Sequence, residues 1–504
     1  MDSKVQELQA ENSRLKHDNG QLKRDNGQLK SDKVRLGHEN SQLQAMVAEQ
    51  KEQIQGLVTL GENLKAQMAK LQARLKTNSG NSSKPPSSDG PETPPRPKHK
   101  RSRRKRGGQP GHKAATRELA SAEEVDQFVP VKPDACAHCG VALAGEDPEP
   151  LRHQVIDIPD PRVIITEYLL HRLRCPSCGR WTRAELPDGV GWSWFGPRLH
   201  ALAGLWVGRF KQTKRDVQAQ FRLLFGLRLS TGAISAMERR MSAALKEPVE
   251  QARSHIRSAA VSHDDETGWW QDKDRAWLWL AATNSVAVFT IARRRSSEVA
   301  KYILGKAYDG VAVVDRWSAY TWIKRRQLCW AHLLRDFTAM AERYSSPWHG
   351  GRLAKTAREV LATWAAWHED EIDRATMLER MAPLQEQIHT YLSWTAANAP
   401  GPTARAKARE ILKVENHLWT FLAVPAVPPT NNLAERLLRY AVIWRKITYG
   451  TDSDTGSRFV ERLLTVVTTL RLQDRDVFGY LCDAITAYQQ GKPAPSILPG
   501  SAEG

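Results

Sequence analysis

The sequence lacks the features of membrane and exported proteins. No uncharged apolar run approaches the roughly 20 residues that span a bilayer, and the opening stretch, MDSKVQELQAEN, has no apolar core of a secretory signal. Cysteine is scarce, with only 6 among 504 residues, so a disulfide framework is not expected. We therefore expect a soluble, cytoplasmic protein with no membrane partner.

Acidic residues are outnumbered. Lys and Arg total 74 against 56 Asp and Glu, which gives a net charge of +18 and a pI near 9.7. This surplus favours a polyanionic partner, and nucleic acid is the commonest one. A chain of 504 residues has room for about three or four domains with a substantial core.

Residues 1–76 carry a heptad repeat. The leucines at its d positions are Leu8, Leu15, Leu22, Leu29, Leu36, Leu43, Leu57, Leu64 and Leu71. Several a positions hold Asn, a pattern that favours a parallel two-stranded coiled coil because buried amides pair only in register. We predict a homodimer or a higher oligomer through this segment. A single solvated helix is the alternative, although a polar helix of this length gains little by remaining alone.

Residues 77–117 are rich in Ser, Pro and Gly and predict a disordered basic linker. The candidate DNA-binding residues in it are Lys98, Lys100, Arg101, Arg103, Arg104, Lys105 and Arg106. A run of this kind binds phosphates without sequence preference and weakens steeply with salt. A merely solvated charge run is the alternative.

Two Cys-x-x-Cys pairs lie in residues 118–190. They are Cys136 with Cys139 and Cys175 with Cys178, and a Gly follows each pair. Four thiolates at this spacing suit the tetrahedral coordination of Zn²⁺. We predict a zinc ribbon holding structural Zn²⁺, with strands in HQVIDIPD and RVIITEYLLHRLRC because both are rich in β-branched residues.

Residues 191–255 have apolar residues at helical spacing. Ser230 or Thr231 could cap a helix that carries Arg239 and Arg240. A helix-turn-helix would place that helix in the major groove of DNA. A helical collar packed on the next domain fits the same pattern equally well.

Residues 256–447 begin with four strand-like runs, AAVSHD, AWLWLAAT, VAVFTIA and GVAVVD, and the helical SSEVAKYILG separates the last two. This order predicts a mixed sheet with a crossover before Asp315. Asp265 and Asp315 are expected at the ends of the first and last strands. Asp264 and Glu266 flank Asp265, and strand periodicity alone does not choose among the three.

A third acidic residue follows a predicted helical insertion over residues 344–427. A helix is expected to begin after Pro429, with Asn431 or Asn432 as its cap and Glu435 in its first turn. Three carboxylates on separate elements can hold Mg²⁺ against phosphate, whereas a surface salt bridge is the alternative for Glu435. The basic residues that could grip DNA here are Arg436, Arg439, Arg445 and Lys446.

Two further pairs leave alternatives open. Cys329 and His332 have metal-like spacing but make only half a site, and a buried Cys beside a His that orients a neighbour is at least as compatible. Trp269 and Trp270 could stack on a base, although aromatic residues in sheets are more often core.

The motifs together resemble the IS-sixty-six-type family of bacterial insertion-sequence transposases. The residues that carry the resemblance are DET at Asp265–Thr267, WLWLAAT, VDRWSAY, LCWAHLLRDF, and NNLAERLLR with the later RK. The leucine repeat, the NSSKPPSSD…GGQPGH tract and the paired CxxC motifs are similar to that family too. The resemblance therefore covers nearly the whole chain.

The resemblance implies a multidomain α and α/β protein with a coiled coil, a zinc ribbon and a ribonuclease H-like DDE core. In that core Asp265, Asp315 and Glu435 would be the catalytic triad, with two Mg²⁺ (or Mn²⁺) ions per active site. Residues 448–504 would be a C-terminal helical region and tail. Transposon ends and target DNA are the implied substrates, with accessory proteins of the same element as further partners and the bacterial nucleoid as the location.

Two functions from other classes remain as alternatives. A domesticated or decayed relative would be a non-catalytic DNA-binding regulator. A scaffold that works through its coiled coil would have no salt-dependent affinity for DNA, contrary to the basic run.

Overall fold

A computed structural model of the protein describes residues 2–75, 119–191, 193–344 and 350–500. The predicted linker and all seven of its candidate DNA-binding residues lie outside these ranges. The chain divides into two compact units, Met1–Pro95 and Arg96–Gly504. Among the described helices, none is both long enough and apolar enough to cross a membrane.

In the first unit the structure describes one helix, α1, which spans Asp2–Leu75. The leucines of the heptad up to Leu64 lie on its surface, with exposed fractions between 52% for Leu64 and 67% for Leu57. The predicted helix is present, and its apolar seam has no partner within the described chain. The pairing of two such helices remains a prediction.

The cysteine-bearing segment contains less sheet than its sequence predicts. Only β1 (Arg172–Arg174) and β2 (Trp181–Arg183) form, as an antiparallel pair. The strands predicted in HQVIDIPD and in the first part of RVIITEYLLHRLRC are absent from the described residues 153–171. That prediction was wrong because β-branched side chains hold a strand only when they pack, and here Ile158 and Ile164 are 85% and 94% exposed.

Four α-helices lie between residues 197 and 258, as the pattern over residues 191–255 predicts. They are α2 (Pro197–Gly204), α3 (Lys214–Phe225), α4 (Thr231–Ala244) and α5 (Lys246–Ser258). The Ser230 hydroxyl caps α4 by accepting a hydrogen bond from the backbone N–H of Ala233 at 3.0 Å.

The main sheet has five strands in the order β5-β4-β3-β6-β7. They are β3 (Val261–Gln271), β4 (Asp274–Ala282), β5 (Ala287–Ala292), β6 (Val311–Val314) and β7 (Arg326–Leu328). Strands β3 to β5 are antiparallel, β6 runs parallel to β3, and β7 runs parallel to β6. Helix α6 (Ser297–Leu304) is the crossover between β5 and β6, so the predicted mixed sheet is confirmed.

Strand β3 is longer than predicted, and Asp265 lies within it instead of at its end. Asp265 pairs with Leu280 of β4, and the pairing continues to Gln271. Asp272 and Lys273 then make a two-residue turn with φ of 52° and 65°, the conformation whose twist suits a hairpin. The parallel pairing with β6 ends earlier, at His263, which leaves Asp265 just beyond it.

The remaining helices follow β7. They are α7 (Trp330–Tyr344), α8 (Arg352–His368), α9 (Arg374–Asn398), α10 (Pro402–Leu412), α11 (Thr420–Ala423), α12 (Asn432–Thr448), α13 (Asp454–Leu472) and α14 (Val477–Gln489). Helices α8 to α11 occupy the segment predicted as an insertion.

Helix α4 packs against α2, α13 and α14 as well as α3. Its residues Ile234, Met237 and Met241 are fully buried, and Glu238 pairs with Lys214 at 2.9 Å. Little of its surface is free to lie in a DNA groove. This packing favours the helical collar over a helix-turn-helix reader.

Helix α13 closes the free edge of the sheet with side-chain hydrogen bonds. The outward backbone N–H groups of β5 donate to its polar residues, Phe289 to the Thr465 hydroxyl at 2.9 Å and Ala287 to the Thr469 hydroxyl at 3.0 Å. The N–H of Ile291 likewise donates to the Glu461 carboxylate. An exposed edge would otherwise invite pairing with another chain.

The hydrogen bonds between α13 and β5 recur because residues four apart on a helix and two apart on a strand have nearly the same spacing. Residues four apart on a helix rise about 6 Å, and residues two apart on a strand rise about 6.8 Å. Polar residues at Glu461, Thr465 and Thr469 therefore meet every second N–H of β5. Burial, offset in part by the Arg458 guanidinium, raises the pKa of Glu461 to about 7.

Replacement of Thr465 by Val should destabilise the protein by about 1–3 kcal/mol, because it leaves the buried N–H of Phe289 without an acceptor while keeping the side-chain volume. Thr468→Val is the matched control, since Thr468 is half-buried on the same helix and makes no bond to β5. Unfolding of the full chain would be followed by circular dichroism. Equal midpoints for the two variants would contradict the role of Thr465.

Candidate active site

The register of two neighbouring strands brings Asp265 beside Asp315. Val261 of β3 pairs with Val311 of β6, and His263 pairs with Val313. The same offset continued by two residues sets Asp265 level with Asp315, which directly follows β6. Both residues are half-buried, so both carboxylates reach the same accessible edge.

Glu435 lies in the first turn of α12, near enough to Asp265 for its charge to act on that carboxyl group. Asn431 occupies the cap position, but its side chain does not cap the helix as predicted. It bonds instead to β3, where its Nδ2 donates to the Asp264 carbonyl at 2.7 Å and its Oδ1 lies 3.2 Å from the His263 ring Nδ1. The start of α12 is thereby tied to the strand that carries Asp265.

The segment that follows β7 also contacts Asn431. The backbone N–H of Asn431 donates to the Cys329 sulfur at 3.2 Å, and the N–H of Trp330 donates to the Pro429 carbonyl at 2.9 Å. Asn431 is 1% exposed. It therefore joins β3, the end of β7 and the start of α12 in one buried cluster.

The pKa of Asp265 responds to the charges of the other acidic residues. Burial first, and then the carboxylates of Glu266, Asp315 and Glu435, raise the pKa of Asp265 well above its ordinary value. Carboxylates that repel one another at an accessible edge provide the hard oxygen ligands that Mg²⁺ prefers. The donor set therefore fits a divalent cation of that kind.

The two acidic neighbours of Asp265 have other partners. Glu266 pairs with Arg295 at 2.7 Å and accepts a hydrogen bond from the Tyr320 hydroxyl at 2.6 Å. Asp264 is buried beside Ser262, and burial raises its pKa to about 8. Alternation along β3 turns these two side chains away from that of Asp265, so Asp265 is the one of the three that faces the site.

The bulky residues after Asp315 are held away from the carboxylate. Arg316 forms an ion pair with Asp336. The backbone N–H of Trp317 donates to Asp315 Oδ1 at 2.8 Å, and the Arg295 guanidinium lies 3.9 Å from the centre of a Trp317 ring. The bond from Trp317 orients the Asp315 carboxylate.

Glu435 has neighbours from α7. Its Oε1 lies 3.1 Å from Arg335 Nη2 and 3.7 Å from His332 Nδ1. His332 and Arg335 are three residues apart and so share one face of the helix. Arg335 was missed by the sequence analysis, although its spacing from His332 on a predicted helix was the available signal.

The basic residues predicted on α12 divide into two groups. Arg436, Arg439 and Lys446 are exposed. Arg445 is half-buried, and its Nη1 donates to the Thr267 hydroxyl at 3.1 Å and to the Gly268 carbonyl at 2.8 Å. Arg445 therefore anchors β3, and its role at DNA remains a prediction.

The paired tryptophans also differ from each other. Trp269 is 1% exposed, and its Nε1 donates to the Thr451 hydroxyl at 3.2 Å. It is a core residue, in agreement with the alternative. Trp270 is 46% exposed and keeps an accessible ring.

The two cysteine pairs form matching turns. Gly140 donates to the Cys136 carbonyl and Gly179 to the Cys175 carbonyl, both at 2.9 Å, and both glycines have φ above +70°. Backbone N–H groups within each turn lower the pKa of the Cys136 and Cys175 thiols. Each pair thus lies in a preformed knuckle whose backbone favours the deprotonated thiol that Zn²⁺ binds.

Comparison with known proteins places these features in one class. Residues 194–458, which include Asp265, Asp315 and Glu435, match the model described as Transposase IS66 family. Residues 133–179, which include all four paired cysteines, match the zinc-finger binding domain of transposase IS66. Residues 2–118 match a family of unknown function (DUF6444). The class is that of transposases with a zinc-finger domain.

The chain belongs to the IS66 transposase family, since the family model covers more than half of it. Two uncharacterized proteins of Sinorhizobium fredii (strain NBRC 101917 / NGR234) are similar to it. The protein y4qI is 24% identical over 255 residues, 44% of this chain and 46% of its own length. The protein y4hP is 23% identical over 408 residues, 72% of each chain. The chain thus spans about half the length of the first relative.

Replacement of Asn431 by Ala should loosen the first turn of α12 and cost about 1–3 kcal/mol, because the buried Asp264 carbonyl loses its donor. Hydrogen exchange of the backbone amides from residue 431 to residue 438 would report the loosening. Asn432→Ala is the control, since Asn432 is the exposed neighbour at the same helix end. Unchanged exchange in the Asn431 variant would rule out the proposed tie to β3.

Proposed function

We propose that this chain is a DDE transposase that cleaves DNA at the inverted repeats of an insertion sequence and joins the freed strands to target DNA. One observation carries the proposal. Asp265, Asp315 and Glu435 come from three different elements, yet Asp315 and Glu435 add to burial and to the charge of Glu266 in raising the pKa of Asp265. They do so in a chain of a transposase family.

The core is proposed to be ribonuclease H-like, with its domain over residues 256–447. Three antiparallel strands followed by two parallel ones, joined through α6, support this assignment. So does the position of α8 to α11, which interrupt the chain between β7 and α12 without interrupting the sheet.

Asp265, Asp315 and Glu435 would hold Mg²⁺ (or Mn²⁺), with two ions per active site. When bound, such ions activate a water or a strand-end hydroxyl as nucleophile and stabilise the leaving oxygen. The four paired cysteines would hold structural Zn²⁺ in their matching knuckles.

The two acidic neighbours of Asp265 add little net negative charge to the site. Asp264, with a pKa of about 8, is mostly protonated at neutral pH, and Glu266 is balanced by Arg295. Arg335 offsets part of the charge of Glu435. Exposed cations at Arg436 and Arg439 follow Glu435 on α12 and would bind the phosphates on either side of the scissile bond.

DNA ends and target DNA are the proposed partners, and the bacterial nucleoid is the proposed location. The basic run from Lys98 to Arg106 would supply non-specific affinity that falls with salt. Accessory proteins of the same element would complete the reaction.

Asp265→Asn, Asp315→Asn and Glu435→Gln should each reduce strand cleavage and transfer at least a hundredfold, because each removes one metal-binding charge. Binding of a terminal-repeat duplex, measured by anisotropy, should survive in all three. Cleavage would be measured on a labelled repeat duplex with Mg²⁺ or Mn²⁺.

Asp264→Asn is the matched control for Asp265, since it is the adjacent residue and is already mostly neutral. It should keep cleavage within a few-fold of the natural chain. Full activity in any one of the three site variants would overturn the triad. Binding without any cleavage by the natural chain would favour the non-catalytic regulator.

We also propose that α1 pairs with a second copy of this chain as a parallel coiled coil. Its exposed seam of leucines has the heptad spacing that such pairing buries. The more apolar second half, which contains Leu57 and Leu64, would provide most of the association.

Replacement of both Leu57 and Leu64 by Asp should convert the dimer to a monomer, because it sets two charges in the seam. Sedimentation equilibrium of the full chain measures the change. Glu52→Asp with Glu62→Asp is the control, since it alters the same helix without changing its charge. A natural chain that sediments as a monomer would refute the pairing.

A further inference from the structure

One cluster of metal-binding side chains shares only Glu435 with the proposed Mg²⁺ site. Among the residues that the structure describes, one trio of His, Cys, Asp or Glu side chains has all its ligand atoms within 4.8 Å of one another. The trio is Cys329, His332 and Glu435. Neither the proposed catalytic triad nor the four paired cysteines gather as tightly in the described chain.

The donors in this trio are of a different kind from those at Asp265 and Asp315. A thiol, an imidazole and a carboxylate suit Zn²⁺ and similar borderline ions, whereas Mg²⁺ takes oxygen ligands. Sites with three protein ligands and one open position are common for Zn²⁺. Cys329 is buried and Glu435 is exposed, so the open position would face solvent.

Two further observations point to a ligand. His332 Nδ1 is buried and has no hydrogen-bond partner among the described residues, although such atoms are nearly always satisfied. It lies 3.7 Å from Glu435 Oε1, close to the roughly 3.4 Å that separates two tetrahedral ligands of one Zn²⁺ ion. The Cys329 sulfur accepts the backbone N–H of Asn431, and a sulfur bound to metal can keep that bond.

We propose that Cys329, His332 and Glu435 form a binding site for a borderline divalent ion such as Zn²⁺. Because Glu435 also belongs to the proposed Mg²⁺ site, an ion held by the trio would withdraw this carboxylate from the catalytic triad. Excess zinc would then inhibit DNA cleavage by competition at Glu435. The inhibition of DNA cleavage rests on the proposed function, whereas the binding of the ion does not.

Arg335 opposes this binding. Its Nη2 lies 3.1 Å from Glu435 Oε1, so the ion must displace a positive charge. Arg335→Gln should therefore bind the ion more tightly than the natural chain, by about tenfold for each 1.4 kcal/mol of repulsion removed. A cluster with no affinity for metal would not respond in this way.

Binding can be tested with Co²⁺ added to the full chain that carries one equivalent of Zn²⁺, which is enough for its four paired cysteines alone. A thiolate-to-cobalt charge-transfer band should appear in the natural chain and in Cys482→Ser, the control at a half-buried cysteine outside the knuckles. Cys329→Ser should lose the band. His332→Ala and Glu435→Gln should bind at least about tenfold more weakly. Equal bands in the natural chain and in Cys329→Ser would overturn the proposal.

Inhibition is a separate measurement. Zinc should reduce Mg²⁺-dependent cleavage by the natural chain and by Cys482→Ser, and Cys329→Ser should resist it. Equal inhibition of all three would overturn the competition at Glu435. If Glu435→Gln instead retained full cleavage, the proposed triad would fail while the cobalt result still decided whether the trio binds metal.

Discussion

The structure of the candidate site depends on one buried asparagine. Asn431 bonds through its side chain to Asp264, 167 residues earlier, and through its backbone N–H to Cys329, 102 residues earlier. Glu435 lies one helical turn beyond it, so its position relative to Asp265 is set by this cluster. If the buried amide moved, the backbone carbonyl would lose its donor, which costs free energy. The cluster therefore stabilises the fold and favours one arrangement of the segments that it joins.

Contacts at the β5 edge stabilise the sheet that carries Asp265 and Asp315. Helix α13 meets the outward N–H groups of β5 with Thr465, Thr469 and Glu461, so the edge is neither exposed nor left unsatisfied. The register between β3 and β6 then sets the two aspartates side by side. Rigid neighbours of this kind are what a site that positions reacting groups requires.

The acidic residues around the site differ in how their charge is compensated. Asp264 and Glu266 are buried and individually compensated, by protonation and by Arg295. Asp265 is left among carboxylates that raise its pKa, a repulsion that a bound cation would relieve. Glu435 has different neighbours from the two aspartates, since its ligand atom lies within 4.8 Å of those of Cys329 and His332.

Local patterns in the sequence were sufficient for the helix of the heptad, the cysteine pairs, the mixed sheet and the acidic residues, because each reflects burial or spacing along a short stretch. Resemblance singled out Asp265, which periodicity had left undecided. Tertiary structure alone decided that Asn431 bonds to β3 instead of capping α12, and that Arg445 anchors β3. It also decided that residues 153–171 form no strand. Asn431 and Arg445 bond to residues that are far away in the sequence, and residues 153–171 lack a packing partner. A local sequence pattern contains no information about either.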